Sequence, residues 1–215
     1  DNPVVGTFNN PSGICAFDPK AAFISYKLPT YQDLKSRHFD QAKDNPSFLV
    51  NKNTTITLNP ATEANIPIGD AEDQLYYLTG NLNLAGNPSG SRTGIIFVDG
   101  DLNINSSLSF GSATTGLVFI VKGNVNIAAA VTTVNAVIIT QGQIFTAGAS
   151  CTNPTVVASA LTVNGLLISL DSSKPIRFCR SLGASDSTTP AEVINHQSKY
   201  VVILRDLFSN TLQKW

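Results

Sequence analysis

The side chains in this chain that could do chemistry are acids with a base nearby. Asp99 and Asp101 flank Gly100, and Lys122 falls at the matching place one repeat later. Clustered carboxylates can cleave glycosides, and carboxylates that hold calcium beside a basic residue serve other polysaccharide-degrading sites. The same Asp-Gly-Asp is also ordinary turn chemistry. The equivalent turns carry Thr79/Asn81, Lys122/Asn124 and Gln141/Gln143 in place of acids. Asp70, Glu72 and Asp73 form an acidic loop that could take a surface cation, although loop acids are more often simply solvated. His38 and His196 stand in no recognisable arrangement and are read as structural. There is no nucleophile elbow, phosphate loop or H-E-x-x-H motif. The expectation is therefore a chain that is not an enzyme, with no catalytic, cofactor-binding or metal-ligating residue.

Cys15, Cys151 and Cys179 are spaced too widely for a zinc knuckle and form no C-x-x-C pair. Two readings stand. An exported protein could pair Cys151 with Cys179, which lie in the same half of the repeat region, or all three could be small buried apolar residues. The pairs Thr54-Thr55, Thr114-Thr115 and Thr132-Thr133 raise the idea of a flat Thr-rich face for ice or a surface glycan, but they do not share a register from one repeat to the next.

What must position these residues is a repeat. Gly94-Ile-Ile-Phe-Val-Asp-Gly-Asp-Leu-Asn-Ile104 is followed by Gly116-Leu-Val-Phe-Ile-Val-Lys-Gly-Asn-Val-Asn-Ile127. Each copy is an apolar run, a glycine turn and a strict alternation. The apolar run suits a strand buried on both sides, and the alternation suits a strand with one wet face. Gly80, Gly100, Gly123 and Gly142 mark equivalent turns. Before them lie the apolar segments 75–78, 95–98, 118–121 and 137–139; after them come Leu82/Leu84, Leu102/Ile104, Val125/Ile127 and Ile144-Phe145. A third short strand is expected at Leu108–Phe110, Val131–Val134 and Leu161–Val163. Three strands in about 20 residues predict a parallel three-faced β-helix, an all-β solenoid with strands stacked about 4.8 Å apart. The glycines follow a repeating three-strand order rather than hairpin spacing, which disfavours an antiparallel sandwich. Asn81/Asp101/Asn124 and Asn83/Asn103/Asn126 should form outward polar ladders.

Three regions follow: an N-terminal arm and capping helix over 1–47, the solenoid over 48–180, and a C-terminal cap with an amphipathic tail over 181–215. Thr30-Tyr-Gln-Asp33 reads as a capping box opening a helix to about Ala42 that would cover one end or one flank of the solenoid. Gly148 to Ala158 reads as an insertion bulging from one face. Near the end, Thr189, Pro190 and Glu192 read as the opening of a short helical turn, and Tyr200 to Leu204 as a strand.

At 215 residues, 13% charged and with a formal net charge of −1, the chain lacks the basic face that nucleic-acid binding needs. No apolar run reaches the roughly 18 residues of a membrane span. The chain opens on Asp1 and has no Met, which fits a processed mature protein or a trimmed domain.

The blocks of the form hydrophobic-x-G-[DN]-[LV]-N-[IL], from about Leu75 onward, resemble the exported β-helical regions of bacterial envelope proteins. These include pilus-accessory proteins of the minor-pilin type and large surface proteins of ultrasmall candidate-phylum bacteria. The ending is similar to the closing segment of such surface proteins: Cys179-Arg-Ser-Leu-Gly183, Thr188–Val193, Tyr200–Leu207 and a terminal Gln-Lys-Trp215. The resemblance implies a structural or adhesive role at the cell surface and supplies no catalytic residues. The expected partners are further copies of the chain, as a homo-oligomer or homopolymer, and a surface glycan. The contacts are expected from the arm (Asp1, Asn2, Pro3, Val4, Val5) and from the apolar strip of the tail (Leu207, Phe208, Leu212, Trp215).

Overall fold

The structure is a computed structural model that describes residues 28–38, 51–52, 56–58, 74–85, 94–109, 116–148, 151 and 153–201. The described chain is mostly strand, and every pairing between strands is parallel. Strands are numbered in chain order. One six-stranded sheet runs β1 (Asn51–Lys52), β3 (Gln74–Leu78), β5 (Gly94–Val98), β7 (Leu117–Val121), β10 (Ala136–Thr140) and β14 (Leu166–Ser169). A second contains, in chain order, β2 (Ile56–Leu58), β4 (Leu82–Leu84), β6 (Leu102–Ile104), β8 (Val125–Ile127), β11 (Ile144–Phe145) and β15 (Ile176–Arg177). A third is shorter, with β9 (Thr133–Val134), β13 (Leu161–Asn164) and β17 (Glu192–Asn195), extended by the bridge Leu108↔Val134. The expected strand Leu108–Phe110 is thus a single bridge among the described residues.

The apolar runs form the first sheet because that sheet is covered on both sides. Ile96, Val98, Phe119, Val121 and Ile138 face a core shared with Leu82, Leu102, Val125, Ile144, Leu161 and Val163 of the other two sheets. Phe97, Val118, Ile120, Val137 and Ile139 face the opposite way, into a second cluster with Tyr31, Leu34, Tyr77 and Tyr200. The alternating runs form the second sheet, where Leu102 and Ile104 are buried around a half-buried Asn103.

The turns between these two sheets stack on one another. A Cβ on Gly100 would lie 2.8 Å from the Gly80 carbonyl oxygen, and one on Gly123 would lie 2.7 Å from that of Gly100. A Cβ on Gly142 would overlap the Gly123 carbonyl. Space is therefore what demands glycine at these positions. Beside the turns, the side-chain oxygens of Asn81, Asp101 and Asn124 accept the backbone N–H of Asp101, Asn124 and Gln143 at 2.8, 2.7 and 2.9 Å. On the second sheet Asn103 Nδ2 donates to Asn83 Oδ1 (2.6 Å) and Asn126 Nδ2 to Asn103 Oδ1 (2.8 Å). A further ladder on the third sheet runs Asn195 to Asn164 (3.2 Å) and Asn164 to Asn135 (2.8 Å).

Helix α1 (Tyr31–His38) lies on a flank, over the outer side of the first sheet. The Thr30–Asp33 capping box is formed: Asp33 accepts from the Thr30 amide and hydroxyl, and the Asp33 amide donates to Thr30 Oγ1 at 3.1 Å. Tyr31 and Leu34 are both 1% exposed, and each such burial contributes roughly 1.5–3 kcal/mol. The continuation to Ala42 and residues 1–27 lie outside the described residues.

The C-terminal part departs from the sequence reading in three places. Glu192 is the first residue of strand β17 and not a helix-opening acceptor, because pairing with Leu161–Asn164 outweighs the local capping pattern. A 3-10 helix forms earlier, at Gly183–Ser187. Lys199–Val201 is a helical turn where a strand is expected, and it sets the Tyr200 ring over Gly116 and Gly165, which leave room for it. The insertion also contains a strand, β12 (Thr155–Val156), paired with β16 (Arg180–Ser181).

Candidate functional site

The turn column holding the candidate acids is stitched together and joined to α1. Asp99 and Lys122 each open a turn, their amides bonded to the strand of the preceding repeat, at Leu78 O (2.7 Å) and Val98 O (2.9 Å). Their side chains form an ion pair at 2.7 Å, and Tyr77 Oη donates to Asp99 Oδ2 at 3.1 Å. With Lys122 58% exposed, such a pair contributes about 0–1 kcal/mol. Lys35 of α1 sits 4.7 Å from the centre of the Tyr77 ring, and the Tyr31 amide donates to Gln141 Oε1 at 3.1 Å. Asp101 is committed to the neighbouring turn through the Asn124 amide. Both carboxylates hold structural partners, so this column seats the helix and ties each turn to the next.

A second cluster lies where the insertion meets the C-terminal strands. Cys151 and Cys179 form a disulfide with Cα atoms 5.7 Å apart, which ties residue 151 to the strand region 28 residues on. The neighbour of Cys179 is Arg180, only 4% exposed. Its guanidinium donates to three backbone carbonyls: Thr146 through Nε at 2.6 Å, Ala128 through Nη2 at 2.9 Å and Ser159 through Nη1 at 3.3 Å. Glu192 Oε1 accepts from the Arg180 amide and from Thr146 Oγ1, both at 2.8 Å, while Thr146 Oγ1 also accepts from the Cys179 amide at 2.7 Å. Burial pulls the Arg180 guanidinium below its ordinary value, and the Glu192 carboxylate opposes that shift. The planar five-donor group satisfies carbonyls that leave the ends of three separate segments, which a lysine could not do. Cys179 was legible from sequence, Glu192 was read in another role, as a helix-opening acceptor, and Arg180 and Thr146 were missed. The one signal was a third hydrophobic-Asn pair, Ile194-Asn195, in line with Val134-Asn135 and Val163-Asn164.

The remaining candidates are scattered. His196 is exposed just past β17, and α1 ends on His38. Thr132 is bound to Ser107, whose hydroxyl lies 3.1 Å from Thr132 Oγ1. Among the described residues no three His, Cys, Asp or Glu side chains gather as a metal site. No helix among them is long and apolar enough to cross a membrane. Cys15, Asp70, Glu72, Asp73, Thr54-Thr55, Thr114-Thr115, the arm residues Asp1 to Val5 and the tail residues Leu207, Phe208, Leu212 and Trp215 lie outside the described residues. Comparison with protein-family models, with curated proteins and with solved structures finds no match to this chain.

Proposed function

We propose that the chain is a non-enzymatic structural protein of the extracellular surface, a self-associating subunit or decoration of an appendage, fibre or layer, folded as a three-faced parallel β-helix. One observation carries the reading: what recurs from repeat to repeat is core, turn and ladder, while the polar positions able to do chemistry change, and Asp99, Asp101 and Lys122 among them are each bound to a neighbouring repeat. The order of the strands supports the three faces, since β7, β8, β9 and then β10, β11 pass through the first, second and third sheets in turn. The Cys151–Cys179 disulfide supports an oxidising compartment outside the cytosol. Stacked ladders hold each inner strand of the sheets between neighbours, which resists both stretching and proteolytic opening. The test is purified chain followed by light scattering and electron microscopy across concentration, beside a reducing-end assay on a polysaccharide panel. Ordered assemblies without new reducing ends are expected. Catalytic cleavage of any polysaccharide overturns the non-enzymatic reading, and a monomer at every concentration overturns self-association.

A further inference from the structure

Among the described residues, both ends of the stack are edges of the same two sheets. The first sheet begins at β1 and ends at β14, and the second begins at β2 and ends at β15. An edge strand presents a row of backbone donors and acceptors ready for another strand, and here the partner must run parallel. At the C-terminal end the core itself is open. Val163 is 1% exposed, whereas Ile194, its partner one rung later on the same side of β17, is 42% exposed. Ile138 and Ile144 are fully buried, while their end-rung partners Leu167 and Ile176 are only partly covered.

Of the four lines of paired residues that run from one end to the other, three carry the same kind of residue at both ends, and one, through Tyr77, Phe97, Ile120 and Ile139, carries Asn51 at one end and Ile168 at the other. The core line through Leu82, Leu102, Val125 and Ile144 ends apolar at both extremes, on Ile56 and on Ile176. The line through Leu78, Val98, Val121 and Thr140 ends polar at both extremes, on Lys52 and on Ser169. A repeat of this same pattern, arriving in the same direction, therefore fits the open end along three of the four lines, in both sheets at once.

The geometry points to a second copy of this chain as the occupant, docked head to tail so that its β1 and β2 continue the sheets that end at β14 and β15. This inference rests on the self-associating reading and names its interface. The contact joins unlike surfaces, so each addition leaves a fresh end and growth is open rather than closed at a dimer.

The experiment uses the full chain with Cys15→Ser, so that this cysteine takes no part in the cross-linking. Register places Asn51 of one copy over Ile168 of the next, so Asn51→Cys and Ile168→Cys are made separately, mixed and treated with a short bis-maleimide. Cross-linked pairs are expected from the mixture and not from either variant alone. In parallel, Ile194→Lys should raise the concentration for half-assembly at least tenfold, while Val201→Lys, at an exposed site on the helical turn over the first sheet, leaves it unchanged; circular dichroism confirms that both fold. If wild type assembles but the mixed pair does not cross-link above the single variants and Ile194→Lys has no effect, the interface is wrong and self-association stands. A wild type that stays monomeric overturns both. If only a chain ending at Val201 assembles, the C-terminal segment is the occupant and the inference falls.

Discussion

The stacked turns make a test in which two known effects oppose. Gly142→Ala adds one methyl at a turn whose backbone is not left-handed, since among the described glycines positive φ belongs to Gly148 and Gly183. On backbone grounds alone, alanine would stabilise by about 0.4–1 kcal/mol by restricting the unfolded chain. The added carbon, however, would overlap the Gly123 carbonyl and lie 2.8 Å from the Asn124 amide nitrogen. That same Gly123 oxygen accepts from Thr140 Oγ1 at 2.6 Å, and Thr140 Oγ1 accepts from the Gly142 amide at 2.9 Å. Both neighbours are backbone within a fixed strand spacing, so relief requires opening the stack, and overpacking of this kind costs about 1–3 kcal/mol. The net is a loss of about 1.5 kcal/mol, which in a chain of this size lowers Tm by about 3–6 °C. Melting followed by circular dichroism measures it. A variant that melts at or above wild type refutes the close approach of the turns.

Three further outcomes are expected. Burial raises the Tyr200 phenol from 10.0 to about 12, so above pH 10 the folded chain keeps a proton that the unfolded chain has lost. Stability should fall by roughly 2–3 kcal/mol between pH 10 and 12, and Tyr200→Phe, which removes a buried hydroxyl with no hydrogen-bond partner, should abolish that loss in urea titrations without lowering stability at pH 7. Asn103→Val breaks two ladder bonds and should cost about 1–3 kcal/mol, while Asn126→Val, at the ladder end where Phe145 follows in register and Oδ1 has no partner, should cost less; equal losses would refute a continuous ladder. Reducing the Cys151–Cys179 disulfide, which closes a separation of 28 residues, should lower stability by roughly 3–4 kcal/mol, and an unchanged urea midpoint under reductant would refute that.

The sheets were legible because their signal is periodic and repeated. Ile95–Val98 and Val118–Val121 announced two-sided burial, and Leu102/Ile104 a single wet face; the structure assigns these runs to two different sheets. The flank position of α1 follows from the outer apolar side of the first sheet, which sequence leaves without an address. Glu192 misled because Thr189, Pro190 and Glu192 satisfy a local helix-opening pattern, while the pairing that wins is made with Leu161, far away in the chain. Arg180 was illegible for a related reason. Its three acceptors lie 21, 34 and 52 residues earlier and are carbonyls, which every residue type possesses.

That distance also orders events in time. A chain emerging N-terminus first can lay β5 on β3 and β7 on β5 as each appears, since neighbouring rungs need nothing from downstream. The corner formed by Ala128, Thr146 and Ser159 is different: its carbonyls wait for one guanidinium synthesised last among the four residues. Folding of this protein should accordingly have two phases, a progressive stacking of early rungs and a late locking step that cannot begin before Arg180 is free to turn inward.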